Sequence, residues 1–111
     1  MIGAVLVGLV AAIHLAILLM EMVLWETPQV RRIFGVSPEF AANTRVMAAN
    51  QGLYNGFLAA GLIWGLCLGH EGRHVDIFFL SCVIVAVAIV GVAALLIAIP
   101  RWAARRPRVR Q

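Results

Sequence analysis

Apolar residues fill three long stretches of the chain, Ile2 to Trp25, Val46 to Gly69 and Ile77 to Ile99, separated by polar intervals. Each is long enough for an α-helix to cross a bilayer, which takes roughly 20 apolar residues. The third is too short to be divided into two crossings, each needing at least about 17. The first has no basic leader and no A-x-A cleavage site, and its apolar run outlasts a signal peptide, so it reads as a retained helix. The pattern predicts an all-α integral membrane protein, an antiparallel bundle of three transmembrane helices plus a short interfacial helix. Residues 1–111 form one membrane domain in this reading, with spans at about 2–25, 46–69 and 77–99.

The intervals carry their own signals. Thr27-Pro28 closes the first helix, because proline cannot continue one. Ser37-Pro38-Glu39 reads as an N-cap, a proline at the first helical position and an acid in the first turn. The second helix therefore begins near Pro38 as an interfacial segment, Pro38 to Arg45, and turns inward near Val46. Gly69 to His74 is a short turn, and Asp76 opens the third span.

Composition strengthens the membrane reading. The chain is 63% hydrophobic and 13% charged, with a mean hydropathy of +0.97. Soluble domains are close to half apolar and a quarter charged, and a domain this small leaves much of its surface exposed. Lipid must be the solvent for most of these side chains. All nine basic residues are arginines. Arg101, Arg105, Arg106, Arg108 and Arg110 crowd the 100–111 tail, which directly after an apolar span reads as an anchor to anionic headgroups rather than a nucleic-acid site. The connection 26–45 holds Arg31, Arg32 and Arg45, whereas the 70–75 turn holds only Arg73. The tail and the connection are then cytoplasmic, and the N-terminus faces outward. Cys67 and Cys82 each sit in an apolar span and read as small buried apolar residues.

Polar residues inside the spans are the candidate chemistry. His14, Glu21 and Trp25 share one face of the first helix to within about 20° either way. Asn50, Gln51, Tyr54 and Asn55 lie in the first half of the second span. If Trp25 and Val46 are level in two antiparallel helices, residues at equal depth have numbers summing to about 71, because both rise 1.5 Å per residue. Glu21 then meets Asn50, and His14 lies near Tyr54 and Asn55. Polar groups in a membrane commonly mark relays or ligand sites, but amides and a phenol also serve as hydrogen-bond glue between helices. Both readings stand at this level.

Gly52, Gly56, Gly61, Gly65 and Gly69 give three G-x-x-x-G spacings, which suit close helix packing within the chain or between copies. His70-Glu71-Gly72-Arg73-His74 matches H-E-x-x-H, a zinc-protease signature that needs both imidazoles on one helix face. Set in a short turn, with a glycine inside it, the match reads as a solvated loop. No metal site is expected; His70 and His74 are the residues a surface ion would meet. No phosphate-binding loop, nucleophile elbow or C-x-x-C is present.

Three blocks carry a family resemblance: E-M-V-L-W-E-T-P at Glu21–Pro28, F-G-V-S-P-E-F at Phe34–Phe40, and A-A-N-Q-G-L-Y-N-G-F-L-A-A-G-L-I-W at Ala48–Trp64. Together with F-F-L-S-C-V-I-V-A at Phe78–Ala86, they resemble the bacterial membrane family called domain of unknown function 1304. The resemblance covers about residues 8 to 88. It implies a small multi-span inner-membrane protein without an established activity, and it singles out His14, Glu21, Trp25, Asn50, Gln51, Tyr54 and Asn55. Relatives usually carry a fourth apolar segment, where this chain has Pro100 and the arginine tail. That departure favours a homo-oligomer or a membrane partner on the exposed face.

Three function classes are open. The leading one is a module that binds or passes a small amphipathic ligand at the polar layer, with Glu21 as the charged or protonatable group. The second is an accessory subunit packing through its glycine faces. The third is a membrane-embedded enzyme, with haem held by His14 at a subunit seam. No cofactor is assigned.

Overall fold

The computed structural model describes residues 1–104, which are helical throughout apart from short connections. Helix α1 spans Ile2–Met22, α2 Pro28–Phe34, α3 Pro38–Cys67 and α4 Arg73–Ala104, with a 3-10 turn at Gly69–Gly72 between the last two. Residues 1–80 form one compact unit, and a second starts at Ser81. Arg105, Arg106, Arg108 and Arg110 of the basic tail lie outside the described residues.

Helix α1 ends three residues before Trp25, when the N–H groups of Val23 and Leu24 both close onto the Leu19 carbonyl, each at 3.1 Å. Thr27-Pro28 is not the stop that the sequence suggests, since α1 has already ended at Met22. Thr27 accepts from the Val30 N–H at 3.4 Å and Pro28 occupies the first turn, so the dipeptide starts α2. A proline lacks only an N–H that the first turn leaves unpaired anyway. Gly35 ends α2 in the left-handed region at φ 66°, and the Val36 N–H reaches the Arg31 carbonyl at 3.0 Å. Such a closure needs a residue without a Cβ penalty. Ser37 then caps α3, accepting from the Phe40 N–H at 3.1 Å, with Pro38 at the first position and Glu39 in the first turn, as the sequence predicts.

Trp25 is buried in this connection. Its Nε1–H points between the Ala41 carbonyl oxygen (3.1 Å) and Thr44 Oγ1 (3.2 Å), and its ring meets Phe34 edge-on at 5.1 Å. With Val30, Ala41 and Ala48 it forms a small core at one end of the first unit. A second core, Val7, Ala11 and Leu62 with Phe79 and Leu80 against them, lies toward the other end.

Helices α1 and α3 pack antiparallel. A Cβ on Gly8 would touch Leu66, one on Gly56 would meet Leu18, and one on Gly52 would come 2.7 Å from Met22 Cγ. These pairs give residue numbers that sum to 74, not 71. The expected depth match assumes that α1 continues to Trp25. Because the helix stops at Met22 and the chain tucks Trp25 under α2, the register between α1 and α3 shifts by about three residues, close to one helical turn.

Among the described residues, two helical segments, Ile2–Met22 and Gly69–Trp102, are long and apolar enough to cross a membrane. Helix α3, diluted by Asn50, Gln51, Asn55 and its glycines, is not one of them. In the second unit, α4 leaves its large apolar side chains exposed from Ile84 to Ile99. The 70–75 segment is more ordered than a plain turn. Gly69 adopts φ 61°, the 3-10 turn comes next, and α4 begins already at Arg73, with Asp76 in its first turn.

Candidate functional site

The polar layer expected between the first two long helices exists at one point. Asn55 on α3 donates from Nδ2 to Glu21 Oε2 on α1 at 3.1 Å, and its other amide hydrogen goes to the Gln51 carbonyl oxygen at 3.0 Å. Close approach of the backbones makes this reach possible. Gly52 sits against Met22 and the Glu21 Cβ, and Gly56 against Leu18, so two glycines one turn apart let α1 lie directly on α3. The bond engages Oε2 and leaves Oε1 for another donor. Glu21 thus meets Asn55, just over one turn beyond the Asn50 that the expected register places opposite it.

The remaining residues distribute themselves around this pair. Gln51 precedes Asn55 by one turn and is exposed. Asn50 and Tyr54 are exposed on a face of α3 that points about 160° away from Gly52, by 100° per residue. Tyr54 packs its ring edge-on against Phe57 at 6.1 Å, on its own helix. The Nδ1–H of His14 donates to the Val10 carbonyl oxygen at 2.8 Å, also within its own helix, which leaves Nε2 as the nitrogen open to a ligand. The structure therefore unites Glu21 with Asn55 and places Gln51 beside them. It does not bring His14, Asn50 or Tyr54 into hydrogen-bond contact with that pair.

The five singled-out glycines divide into two packing seams and one turn. Gly52 and Gly56 face α1, whereas Gly61 and Gly65 face the start of α4: a Cβ on Gly61 would overlap the Phe79 ring, and one on Gly65 would overlap the Asp76 carboxyl. Gly69 has open space around its Cα and a positive φ, so it shapes the chain reversal rather than a helix contact. His70 and His74 belong to different elements, the 3-10 turn and the first turn of α4, and both are exposed.

Two features escape the sequence reading. Trp25 reads there as the last residue of the first span, and only the short α2 after it reveals a buried ring. Asp76 reads as an acid opening a helix. In the structure its Oδ1 is buried without a hydrogen-bond partner against Gly65, while Gly72 packs onto the Gly65 carbonyl. No spacing within one helix signals this contact, because Gly65, Gly72 and Asp76 belong to three different elements.

Comparison with curated proteins and with solved structures returns no match. Residues 8–100 match the profile of a family described as protein of unknown function (DUF1304). That span takes in α2 and α3 entirely, most of α1 and nearly all of α4, and the chain belongs to this family.

Proposed function

We propose that the protein is a small helical module of the bacterial cytoplasmic membrane that holds a small amphipathic molecule at the Glu21–Asn55 shoulder. In this reading 1–111 is one membrane domain with three spans, α3 providing the middle one, the N-terminus outside and the arginine tail in the cytoplasm. Lipid is the first partner, and the exposed apolar side chains of α4 are the surface open to a second copy or a membrane partner.

The observation that carries the proposal is the hydrogen bond between Asn55 and Glu21 across two helices. A carboxylate in an apolar stretch is costly and is commonly retained for pairing or for a ligand. Here one oxygen is fixed by an amide and the other is available to an N–H or O–H donor, with Gln51 one turn away. The flanking Met22 and Leu18 supply apolar contact for a short chain. The assembly reading through glycine faces is less well supported, because Gly52, Gly56, Gly61 and Gly65 are occupied by contacts within the chain.

The test is thermal unfolding of the full chain in a mild non-ionic detergent with and without decylamine, decanol being the chain-matched control. Decylamine should raise the midpoint more than decanol does, and Glu21→Gln should remove the difference. Equal responses to the two additives, or a Glu21→Gln variant with the full decylamine response, would remove the proposal.

A further inference from the structure

A cavity of the first unit lies at the opposite end from Trp25, where α1 begins and α3 ends. Its volume is about 720 Å³, inside the roughly 300–1,000 Å³ range of small-molecule sites. Leu6, Val10, Leu66 and Leu80 form apolar walls, and the polar groups gather at one side as His70, Arg73 and Asp76. An apolar trough with its charged side chains grouped near the α3–α4 reversal suits an amphiphile whose tail lies along the helices.

The charges narrow the headgroup. Arg73 and Asp76 are three residues apart on α4, hence neighbours on one helix face. They present a cation and an anion side by side, as a zwitterionic phosphate-and-amine headgroup does in reverse. Arg73 is exposed and in no ion pair among the described residues. Asp76 has Oδ1 sealed against Gly65 with no donor, so a ligand meets this carboxylate at Oδ2. A carboxylate short of hydrogen bonds gains most from a ligand that brings N–H groups. We infer that this cavity binds an aminophospholipid of the surrounding leaflet, with one acyl chain along Leu6, Val10, Leu66 and Leu80, its phosphate on Arg73 and His70, and its primary ammonium on Asp76. This site is separate from Glu21 and rests on the membrane placement proposed above, not on a ligand at Glu21.

The experiment is native mass spectrometry of the delipidated full chain offered phosphatidylethanolamine, phosphatidylglycerol or phosphatidylcholine with identical acyl chains. Phosphatidylethanolamine should be retained roughly tenfold better than phosphatidylcholine, whose quaternary ammonium has no N–H to give. Asp76→Asn should remove that preference. Gly3 lines the cavity and has open space where a Cβ would go, so Gly3→Phe should fill part of the trough and lower retention of all three lipids. Equal retention by the unaltered chain, a preference for phosphatidylglycerol, or unchanged retention in Gly3→Phe would each overturn the assignment.

Discussion

Gly61 is where the helix seams can be tested most sharply. A methyl group placed there would fall among three atoms of the Phe79 ring. A ring on a helix backbone cannot swing away as the end of a long side chain can. Overpacking a buried contact costs about 1–3 kcal/mol, and the involvement of three ring atoms argues for the upper half of that range. Alanine in a helix interior regains about 0.5–1 kcal/mol over glycine. Gly61→Ala should therefore destabilise by about 1–2 kcal/mol. In a Phe79→Ala background the obstruction is gone, only the backbone term remains, and the sign should reverse to a gain of about 0.5 kcal/mol. Reversible unfolding in mixed micelles by increasing the denaturing detergent fraction measures all four species. Equal effects of Gly61→Ala in both backgrounds, within about 0.5 kcal/mol, would refute the contact between α3 and the start of α4.

Three other perturbations have outcomes set by neighbouring features of the fold. Trp25→Phe keeps most of the buried ring but removes the donor shared by Ala41 and Thr44, and should cost about 1–2 kcal/mol in that unfolding assay, more than the same change at exposed Trp64. Gly69→Ala forces a side chain into φ 61° and should cost about 1–2 kcal/mol although nothing crowds the position. With Cys67 and Cys82 replaced by Ser, an impermeant maleimide should label Glu71→Cys in intact cells and Glu39→Cys only after lysis. The opposite pattern would reverse the proposed orientation, and labelling of both from one side would remove α3 as a span.

Signals in this sequence are legible to the degree that they are local. The Ser37-Pro38-Glu39 start of α3 depends on four neighbouring residues, and it appears in the structure as expected. Thr27-Pro28 is equally local but ambiguous, since a proline that cannot continue one helix is well suited to begin the next. An overlooked α2 has consequences further along. With α1 assumed to run to Trp25, level with Val46, the depth register comes out at 71 instead of 74, and Glu21 is set against Asn50 in place of Asn55. The pairing of an acid on α1 with an amide on α3 survives that slip, because little more than one turn separates the alternatives. His14 and Tyr54 cannot be placed in this way. Whether a side chain turns to a neighbour or to its own helix is decided by rotamer and packing, as the His14–Val10 bond and the Tyr54–Phe57 contact show. Gly61 and Gly65 are recognisable as a packing pair, but their partners Phe79 and Asp76 lie across the chain reversal, beyond what spacing within one helix can report.

The proposed site depends most on Glu21 and Asn55 facing each other across the α1–α3 seam. A double-mutant cycle with Glu21→Ala and Asn55→Ala, each of which removes one partner of the hydrogen bond, read by unfolding in mixed micelles, addresses that contact directly. The predicted coupling is about 0.6–1.7 kcal/mol, the range from average to strongest for hydrogen bonds between membrane helices. Additive effects, agreeing within about 0.3 kcal/mol, would contradict it.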